Sequence, residues 1–132
     1  MPETPRPVQI VHRILVVEDD YELASLLNEV LIRENLTPEI AGNGMEALEK
    51  LQTTDYQAVI CDLMMPRIDG EALYREAAER YPYLASRFLF ITGEASHHAG
   101  FADFVYRSGC SLLEKPFDIE QLRAALKEML AR

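Results

Sequence analysis

Four short apolar runs and one weaker strand-like segment recur along the chain of 132 residues, and a stretch with helical periodicity follows each of them. Short apolar runs predict buried strands, and apolar positions spaced three and four residues apart predict amphipathic helices. This alternation favours an α/β fold in which helices cover both faces of a parallel sheet and the crossovers are right-handed. The strands are predicted at residues 13–17, 37–41, 57–61, 88–91 and 111–114.

Polar capping residues or turn residues stand before most of the predicted helices. The helix starts are predicted at Asp19 or Asp20, at Asn43 or Gly44, near Glu71, near Ala99 and at Asp118. Residues 1–11 contain prolines at positions 2, 5 and 7 and are predicted to be a tail or linker. We therefore expect one domain at residues 12–132, which is long enough for a hydrophobic core.

Charge and hydropathy limit the partners of the chain. The net charge of −9 disfavours nonspecific binding to DNA or to an acidic membrane surface. No apolar run reaches the roughly 18 residues of a membrane span, and the N-terminus lacks the layout of a signal peptide. We expect a cytoplasmic protein with no direct nucleic-acid partner and no membrane partner. Cys61 and Cys110 have no CxxC spacing and are interpreted as reduced, structural residues.

Polar side chains stand at the carboxyl ends of four predicted strands. They are Glu18, Asp19 and Asp20 after the first strand, Asp62 after the third, Thr92 after the fourth and Lys115 after the fifth. Sites in open α/β sheets form at this edge. If the first and third strands are neighbours, the carboxylates, the hydroxyl and the ammonium converge there.

This combination is typical of a divalent-cation site joined to phosphoryl transfer. Two carboxylates about 4 Å apart repel by roughly 4 kcal/mol at a surface-like dielectric, and an oxygen-binding cation such as Mg²⁺ removes that repulsion. Phosphoryl transfer depends mostly on positioning and charge neutralisation. Asp62 is the candidate nucleophile, Lys115 a point charge for one phosphoryl oxygen, and Thr92 a hydroxyl donor to another.

Each of these elements, taken alone, also has a purely structural explanation. The acidic triplet suits helix capping, Asp62 and Thr92 suit turns, and Lys115-Pro116 suits the exit of a strand. Their order, each at the end of a predicted strand, favours the functional hypothesis.

Four segments carry a resemblance to a known family, which covers nearly the whole chain. They are Ile14-Leu-Val-Val-Glu-Asp-Asp20, Asp62-Leu-Met-Met-Pro-Arg-Ile-Asp-Gly70, Ile91-Thr-Gly93 and Glu114-Lys-Pro-Phe117. Through them the chain from about His12 to Leu130 resembles the response-regulator receiver domain, a chemotaxis-regulator-like module of two-component signalling. The resemblance implies a flavodoxin-like, doubly wound five-stranded parallel sheet of order 2-1-3-4-5 with five helices.

The resemblance also implies roles for the strand-end residues. Asp62 would accept a phosphoryl group from a histidine kinase or a histidine phosphotransfer protein, assisted by Thr92 and Lys115. The chain would be no enzyme beyond assisting its own phosphorylation and dephosphorylation. The implied Mg²⁺ ligands are Glu18, Asp19, Asp62 and the backbone carbonyl of Met64. The Lys115-Pro116 bond would be cis, and Gly70 would serve the turn before the third helix.

One position departs from the family pattern. Many receivers carry Tyr or Phe three residues before the lysine, where this chain has Leu112, so the aromatic part of the switch is in question. Met64 and Glu94 occupy the two positions that tune phosphoryl lifetime in the family, and they predict slow to moderate autodephosphorylation. Tyr106 and the pair His97-His98 are interpreted as surface or packing residues.

Several functions and architectures stay open beside the leading one. A degenerate receiver would bind partners without phosphorylation, and an excised receiver would come from a hybrid histidine kinase. A Mg²⁺-dependent phosphatase would usually carry a second acid where Met64 stands, and a flavodoxin-like cofactor binder would need a Gly/Ser/Thr loop after the first strand. A homodimer is also left open.

Overall fold

Five parallel strands form one sheet within residues 12–65, 68–93 and 100–132, which are the residues that the computed structural model describes. The strands are β1 Arg13–Val17, β2 Thr37–Ala41, β3 Ala58–Asp62, β4 Phe88–Thr92 and β5 Ser111–Glu114. Their spatial order is β2-β1-β3-β4-β5. The predicted order is confirmed, and β1 lies beside β3.

Five α-helices lie between and after the strands in the described part of the chain. They are α1 Tyr21–Arg33, α2 Gly44–Thr53, α3 Gly70–Arg80, α4 Phe101–Ser108 and α5 Ile119–Leu130. Side-chain caps define four helix starts, because a carboxylate or amide oxygen accepts a hydrogen bond from the first turn. The capping residues are Asp20, Asn43, Asp69 and Asp118. None of the helices described is long and apolar enough to cross a membrane.

Two differences from the sequence prediction concern the helices. A 3₁₀ helix at Pro82–Leu84, which was not predicted, precedes β4. Gly70 is the first residue of α3, one position before the predicted start. Ala99, the predicted start of the fourth helix, lies outside the described residues, as do residues 1–11 with their predicted tail.

The sheet separates two hydrophobic layers, because alternate side chains of each strand point to opposite faces. One layer packs under α2, α3 and α4 and includes Leu15, Val17, Val59, Cys61, Phe88, Phe90, Leu73 and Phe104. The other packs under α1 and α5 and includes Ile14, Val16, Ile60, Leu89, Ile91, Leu27, Leu31, Leu122 and Leu126. Cys61 and Cys110 are both buried free thiols.

Strand register sets the position of the carboxyl edge. Val17 pairs with Cys61, Asp62 pairs with Ile91, and Thr92 pairs with Glu114. The residues that follow β1, β3, β4 and β5 therefore lie along one edge of the sheet, as the strand pattern predicts.

Candidate functional site

Three carboxylates meet where β1 and β3 end. One carboxylate oxygen from each of Glu18, Asp19 and Asp62 lies within 4.8 Å of the others. Glu18 and Asp62 are buried, with exposed fractions of 3% and 5%, whereas Asp19 is exposed. The backbone N–H of Glu18 donates to the carbonyl of Ala41 at 3.0 Å, which extends the pairing of β1 with β2 and fixes this residue beyond the strand.

Glu18 is strongly perturbed by its surroundings. Its Oε1 accepts a hydrogen bond from the backbone N–H of Asp20 at 3.3 Å, while Oε2 is buried without a hydrogen-bond partner among the described residues. Burial raises the pKa of Glu18 to about 8, and the neighbouring Asp62 carboxylate contributes to the shift. A buried, unpartnered carboxylate oxygen beside two further carboxylates suits a hard divalent cation with oxygen ligands.

Both oxygens of the Asp62 carboxylate have a neighbour of positive character. Oδ1 accepts a hydrogen bond from the backbone N–H of Met64 at 2.8 Å, and Oδ2 lies 3.6 Å from the Nζ of Lys115. The backbone N–H of Lys115 in turn donates to the carbonyl of Thr92 at 2.8 Å. The carboxylate is thus oriented by one backbone donor and one ammonium group. The Lys115-Pro116 bond is cis, as the resemblance implied.

Thr92 lies beneath this surface rather than on it. Its side chain is fully buried, and its hydroxyl has no hydrogen-bond partner in the described part of the chain. A buried hydroxyl without a partner is unfavourable. Thr92 stands at the end of β4, one residue beyond the partner of Asp62 in the sheet, so its hydroxyl lies near the carboxyl edge.

An open cavity of about 380 Å³ joins these groups at the carboxyl edge. Its lining consists of Glu18, Asp19, Asp20, Asp62, Met64, Gly93 and Lys115. The structure therefore brings together the candidate residues at three strand ends. Asp20 has a different function, because its Oδ1 accepts the N–H of Glu22 at 2.9 Å and caps α1. The capping explanation of the acidic triplet is correct for this residue.

Gly70 meets a spatial requirement that the sequence did not reveal. A Cβ at this position would lie 2.7 Å from the carbonyl oxygen of Asp62 and 2.9 Å from the Cα of Leu63. The backbone N–H of Gly70 donates to the carbonyl of Leu63 at 3.2 Å. Glycine lets the start of α3 pack on the backbone that follows Asp62, so its importance lies in close approach as well as in the turn.

Leu112 and Tyr106, which the sequence analysis also discussed, do not line this cavity. Leu112 is half-buried and packs against the hydrophobic layer under α4, while Tyr106 on α4 is 87% exposed. Glu94 and the pair His97-His98 lie outside the described residues.

Comparison with known families assigns the chain. The family model of the response regulator receiver domain matches residues 14–127. The chain belongs to this family. The receiver is therefore a signalling module of two-component systems with a flavodoxin-like fold, which confirms the resemblance seen in the sequence.

Curated relatives of the receiver are response regulators. Response regulator ArlR of Staphylococcus epidermidis is 32% identical over 119 residues, which are 90% of this chain and 52% of the relative. ArlR of Staphylococcus aureus is 31% identical over 120 residues, which are 91% of this chain and 53% of the relative. The receiver chain spans about half the length of the curated relatives that it matches.

Solved structures share the fold of the receiver. A putative response regulator from Chloroflexus aurantiacus superposes with a TM-score of 0.82 at 28% identity. The match covers 93% of this chain and 100% of the chain in that structure. Response regulator TrrA from Thermotoga maritima, solved in complex with Mg²⁺ and BeF, superposes with a TM-score of 0.79 at 28% identity. The match covers 91% of this chain and 100% of the TrrA chain. Chemotaxis protein CheY4 from Vibrio cholerae gives 0.81 at 24% identity, covers 92% and 100%, and shows the fold alone.

Proposed function

We propose that this receiver is a phosphorylation-dependent switch that accepts a phosphoryl group on Asp62 from a histidine kinase or a histidine phosphotransfer protein, with Mg²⁺ as cofactor. The observation that carries the proposal is the Asp62 carboxylate itself. It is buried at the end of β3, held by the N–H of Met64, and faces the ammonium of Lys115 at 3.6 Å.

The transfer is a substitution at phosphorus. A carboxylate oxygen of Asp62 attacks the phosphorus of the donor phosphohistidine, so that a P–O bond forms while the P–N bond breaks and its electron pair leaves with the imidazole. Lys115 balances negative charge on the phosphoryl oxygens, and this needs little more than a positioned point charge. The product is an acyl phosphate on Asp62.

The donor set fits a magnesium ion. Glu18, Asp19, Asp62 and the carbonyl of Met64 would hold it, and the unpartnered Oε2 of Glu18 supports this fit. When bound, the cation neutralises the clustered carboxylates and the charge on the transferred phosphoryl group. The complex of the relative TrrA with Mg²⁺ and BeF supports the same assignment.

The switch follows from the unpartnered hydroxyl of Thr92. An acyl phosphate on Asp62 adds strong hydrogen-bond acceptors at the same edge, and Thr92 gains an acceptor that it lacks before phosphorylation. This difference favours a second conformation in which Thr92 moves towards the phosphoryl group. Because Leu112 replaces the usual aromatic residue, this step does not require an aromatic side chain to rotate inward.

The test is the covalent adduct. The protein is incubated with Mg²⁺ and acetyl phosphate, and the intact mass is read for the wild type, Asp62→Asn and Asp69→Asn. Asp69 is a matched control, because it caps α3 and asparagine also caps helices. We expect one phosphoryl group on the wild type and on Asp69→Asn, none on Asp62→Asn, and none after Mg²⁺ is chelated.

Two results would contradict the proposal. An adduct that persists in Asp62→Asn would place the acceptor elsewhere. No adduct with either acetyl phosphate or a phosphorylated histidine protein, although Mg²⁺ binds, would favour a degenerate receiver. The decay of the adduct after donor removal tests the predicted slow to moderate autodephosphorylation, which a half-life of only a few seconds would exclude.

A further inference from the structure

Gly44, the first residue of α2, lies directly against Ile68 on the segment that follows Asp62. A Cβ at position 44 would lie 2.8 Å from the Cβ of Ile68, 3.0 Å from its Cγ2 and 3.0 Å from its carbonyl oxygen. These separations are shorter than the carbon–carbon contact distance of about 3.5 to 4.0 Å. The contact exists only because position 44 carries no side chain.

Ile68 belongs to the acceptor loop, defined as residues 63–69 between β3 and α3, of which the structure describes 63–65 and 68–69. Two glycines lie in close contact with the described residues of this segment. At its end, Gly70 packs on the backbone of Asp62 and Leu63. Towards α2, Ile68 packs on Gly44 and its side chain joins the hydrophobic layer under α2 and α3.

The acceptor loop also carries the groups that orient Asp62. The N–H of Met64 donates to Oδ1 of Asp62 at 2.8 Å, and the Met64 carbonyl is the backbone ligand assigned above to Mg²⁺. A side chain at position 44 must displace Ile68 or its carbonyl. Because Ile68 and Met64 belong to one short loop whose end is fixed at Gly70, we expect a displacement of Ile68 to shift Met64.

We propose that Gly44 is a positioning residue for the phosphorylation site: it seats Ile68 on α2 and thereby sets the placement of Met64 beside Asp62. This inference rests on the proposed function, because it assigns Met64 and Asp62 to the Mg²⁺ site. Residues of this kind, which orient ligands without touching the ion, commonly change metal affinity when they are substituted.

A purely structural role of Gly44 makes a different prediction. Glycine weakens a helix relative to alanine, and the Asn43 cap, which accepts the N–H of Glu46 at 2.8 Å, stays in place after substitution. A structural role limited to α2 therefore predicts that Gly44→Ala leaves Mg²⁺ binding unchanged. A positioning role predicts weaker Mg²⁺ binding in a protein that still folds.

The experiment is a Mg²⁺ titration of the full chain. At each Mg²⁺ concentration, the unfolding temperature and the rate of adduct formation with acetyl phosphate are measured. Gly42→Ala is the matched control, because a Cβ there would meet only Oε2 of Glu46, at an ordinary 3.5 Å. We expect Gly44→Ala to unfold cooperatively and to need about tenfold more Mg²⁺ for half-saturation, and Gly42→Ala to behave as the wild type.

A double-mutant cycle with Ile68→Gly isolates the contact. Gly44→Ala should weaken Mg²⁺ binding less in the Ile68→Gly background than in the wild type, because the two clashing carbon atoms are gone and only the carbonyl oxygen remains at 3.0 Å. If Gly44→Ala does not fold, Ile68→Ala removes most of the side chain that contacts Gly44 without a clash and should also weaken Mg²⁺ binding.

The inference is overturned if Gly44→Ala matches Gly42→Ala, if its effect is the same in both backgrounds, or if Ile68→Ala alone leaves Mg²⁺ binding unchanged. The two readouts separate this inference from the proposed function. A wild type that binds Mg²⁺ but forms no adduct would contradict the proposed function, while the Mg²⁺ titration would still decide the role of Gly44.

Discussion

At the scale of single residues, Glu18 links the folding of the metal-free protein to pH. Its pKa is raised from 4.5 to about 8 in the folded state, mainly by burial. Below pH 4.5 both the folded and the unfolded states hold the proton, so the residue does not lower the free energy of unfolding. Between about pH 4.5 and 8 the unfolded state releases the proton and the folded state keeps it, so the free energy of unfolding falls as pH rises.

We therefore expect the urea midpoint of the metal-free protein to fall between about pH 5 and 8, and Glu18→Gln to show a flatter dependence over the same range. Urea denaturation in the presence of a chelator measures both curves. Added Mg²⁺ should also flatten the wild-type curve, because the cation replaces the proton. Parallel curves for the wild type and Glu18→Gln would rule out this assignment.

Thr92 allows a second residue-scale prediction, since its hydroxyl is buried and has no partner among the described residues. Valine has nearly the same shape and removes the unsatisfied donor, so Thr92→Val should stabilise the unphosphorylated protein by about 1 kcal/mol. The variant should still accept the phosphoryl group on Asp62, but phosphorylation should no longer add stability. Thr37→Val, on an edge strand, is the control in urea denaturation with and without acetyl phosphate. A destabilised Thr92→Val would contradict the prediction.

At the scale of secondary structure elements, the strands were the most predictable part of the fold. Three strands, among them the weaker one at 37–41, lie at the predicted bounds, and two lie within one residue of them. The 3₁₀ helix at Pro82–Leu84 was missed because three residues carry no periodic signal. Periodicity also could not show that Leu26, spaced like the core residues of α1, is 42% exposed.

The residues that meet at the ends of neighbouring strands could be predicted from the sequence. The contacts between different secondary structure elements could not. Asp62 and Lys115 are adjacent because β3, β4 and β5 are neighbours in one parallel sheet. The contact of Gly44 with Ile68 joins residues far apart along the chain, and no local pattern marks it. Likewise, the unpartnered oxygen of Glu18 depends on the packing around it rather than on residue type.

Tyr74 provides a prediction about how α3 is held on the sheet. Its ring packs edgewise on Phe88, Phe90 and Phe104 with centroid distances of 5.0, 5.6 and 5.4 Å, and its hydroxyl donates to the carbonyl of Ala85 at 2.6 Å. Tyr74→Phe keeps the ring and should cost only about 1 kcal/mol. Tyr74→Ala should cost about 3 kcal/mol or more.

Urea denaturation measures both Tyr74 variants, and a Mg²⁺ titration of Tyr74→Phe serves as the control. Because Tyr74 is not part of the cavity lining beside Asp62, its hydroxyl should not affect Mg²⁺ binding. Equal losses of stability in the two variants would show that the hydrogen bond, rather than the ring packing, holds α3.

At the scale of the whole molecule, every α-helix described begins with an acidic residue in its first turn. Each of these five helices also has a basic residue in its last turn. This arrangement complements the helix dipoles. Because each helix runs back across the sheet from the carboxyl edge, the acidic first turns lie on the same side of the molecule as the Asp62 cavity. The first-turn residues are Glu22, Glu46, Glu71, Asp103 and Glu120.

The acidic residues at the helix starts should slow the reaction with a small anionic phosphodonor, because they repel the donor before it reaches Asp62. At saturating Mg²⁺, the rate with acetyl phosphate should rise as ionic strength increases, because salt screens that repulsion. The double variant Glu22→Gln/Glu120→Gln neutralises two of these first-turn charges. It should form the adduct roughly two- to fourfold faster at low salt, and its rate should depend less on ionic strength. Intact-mass time courses measure both rates.

A matched pair of substitutions separates the position of the charge from the net charge. Glu79→Gln/Glu128→Gln changes the net charge by the same amount near the ends of α3 and α5, at the opposite edge of the sheet. If that variant speeds the reaction as much as Glu22→Gln/Glu120→Gln does, the approach of the donor depends on the net charge of −9 and not on where the acidic residues lie. If only Glu22→Gln/Glu120→Gln is faster, acidic charge at the helix starts repels small anions, and we expect a protein donor to present basic residues to the same edge.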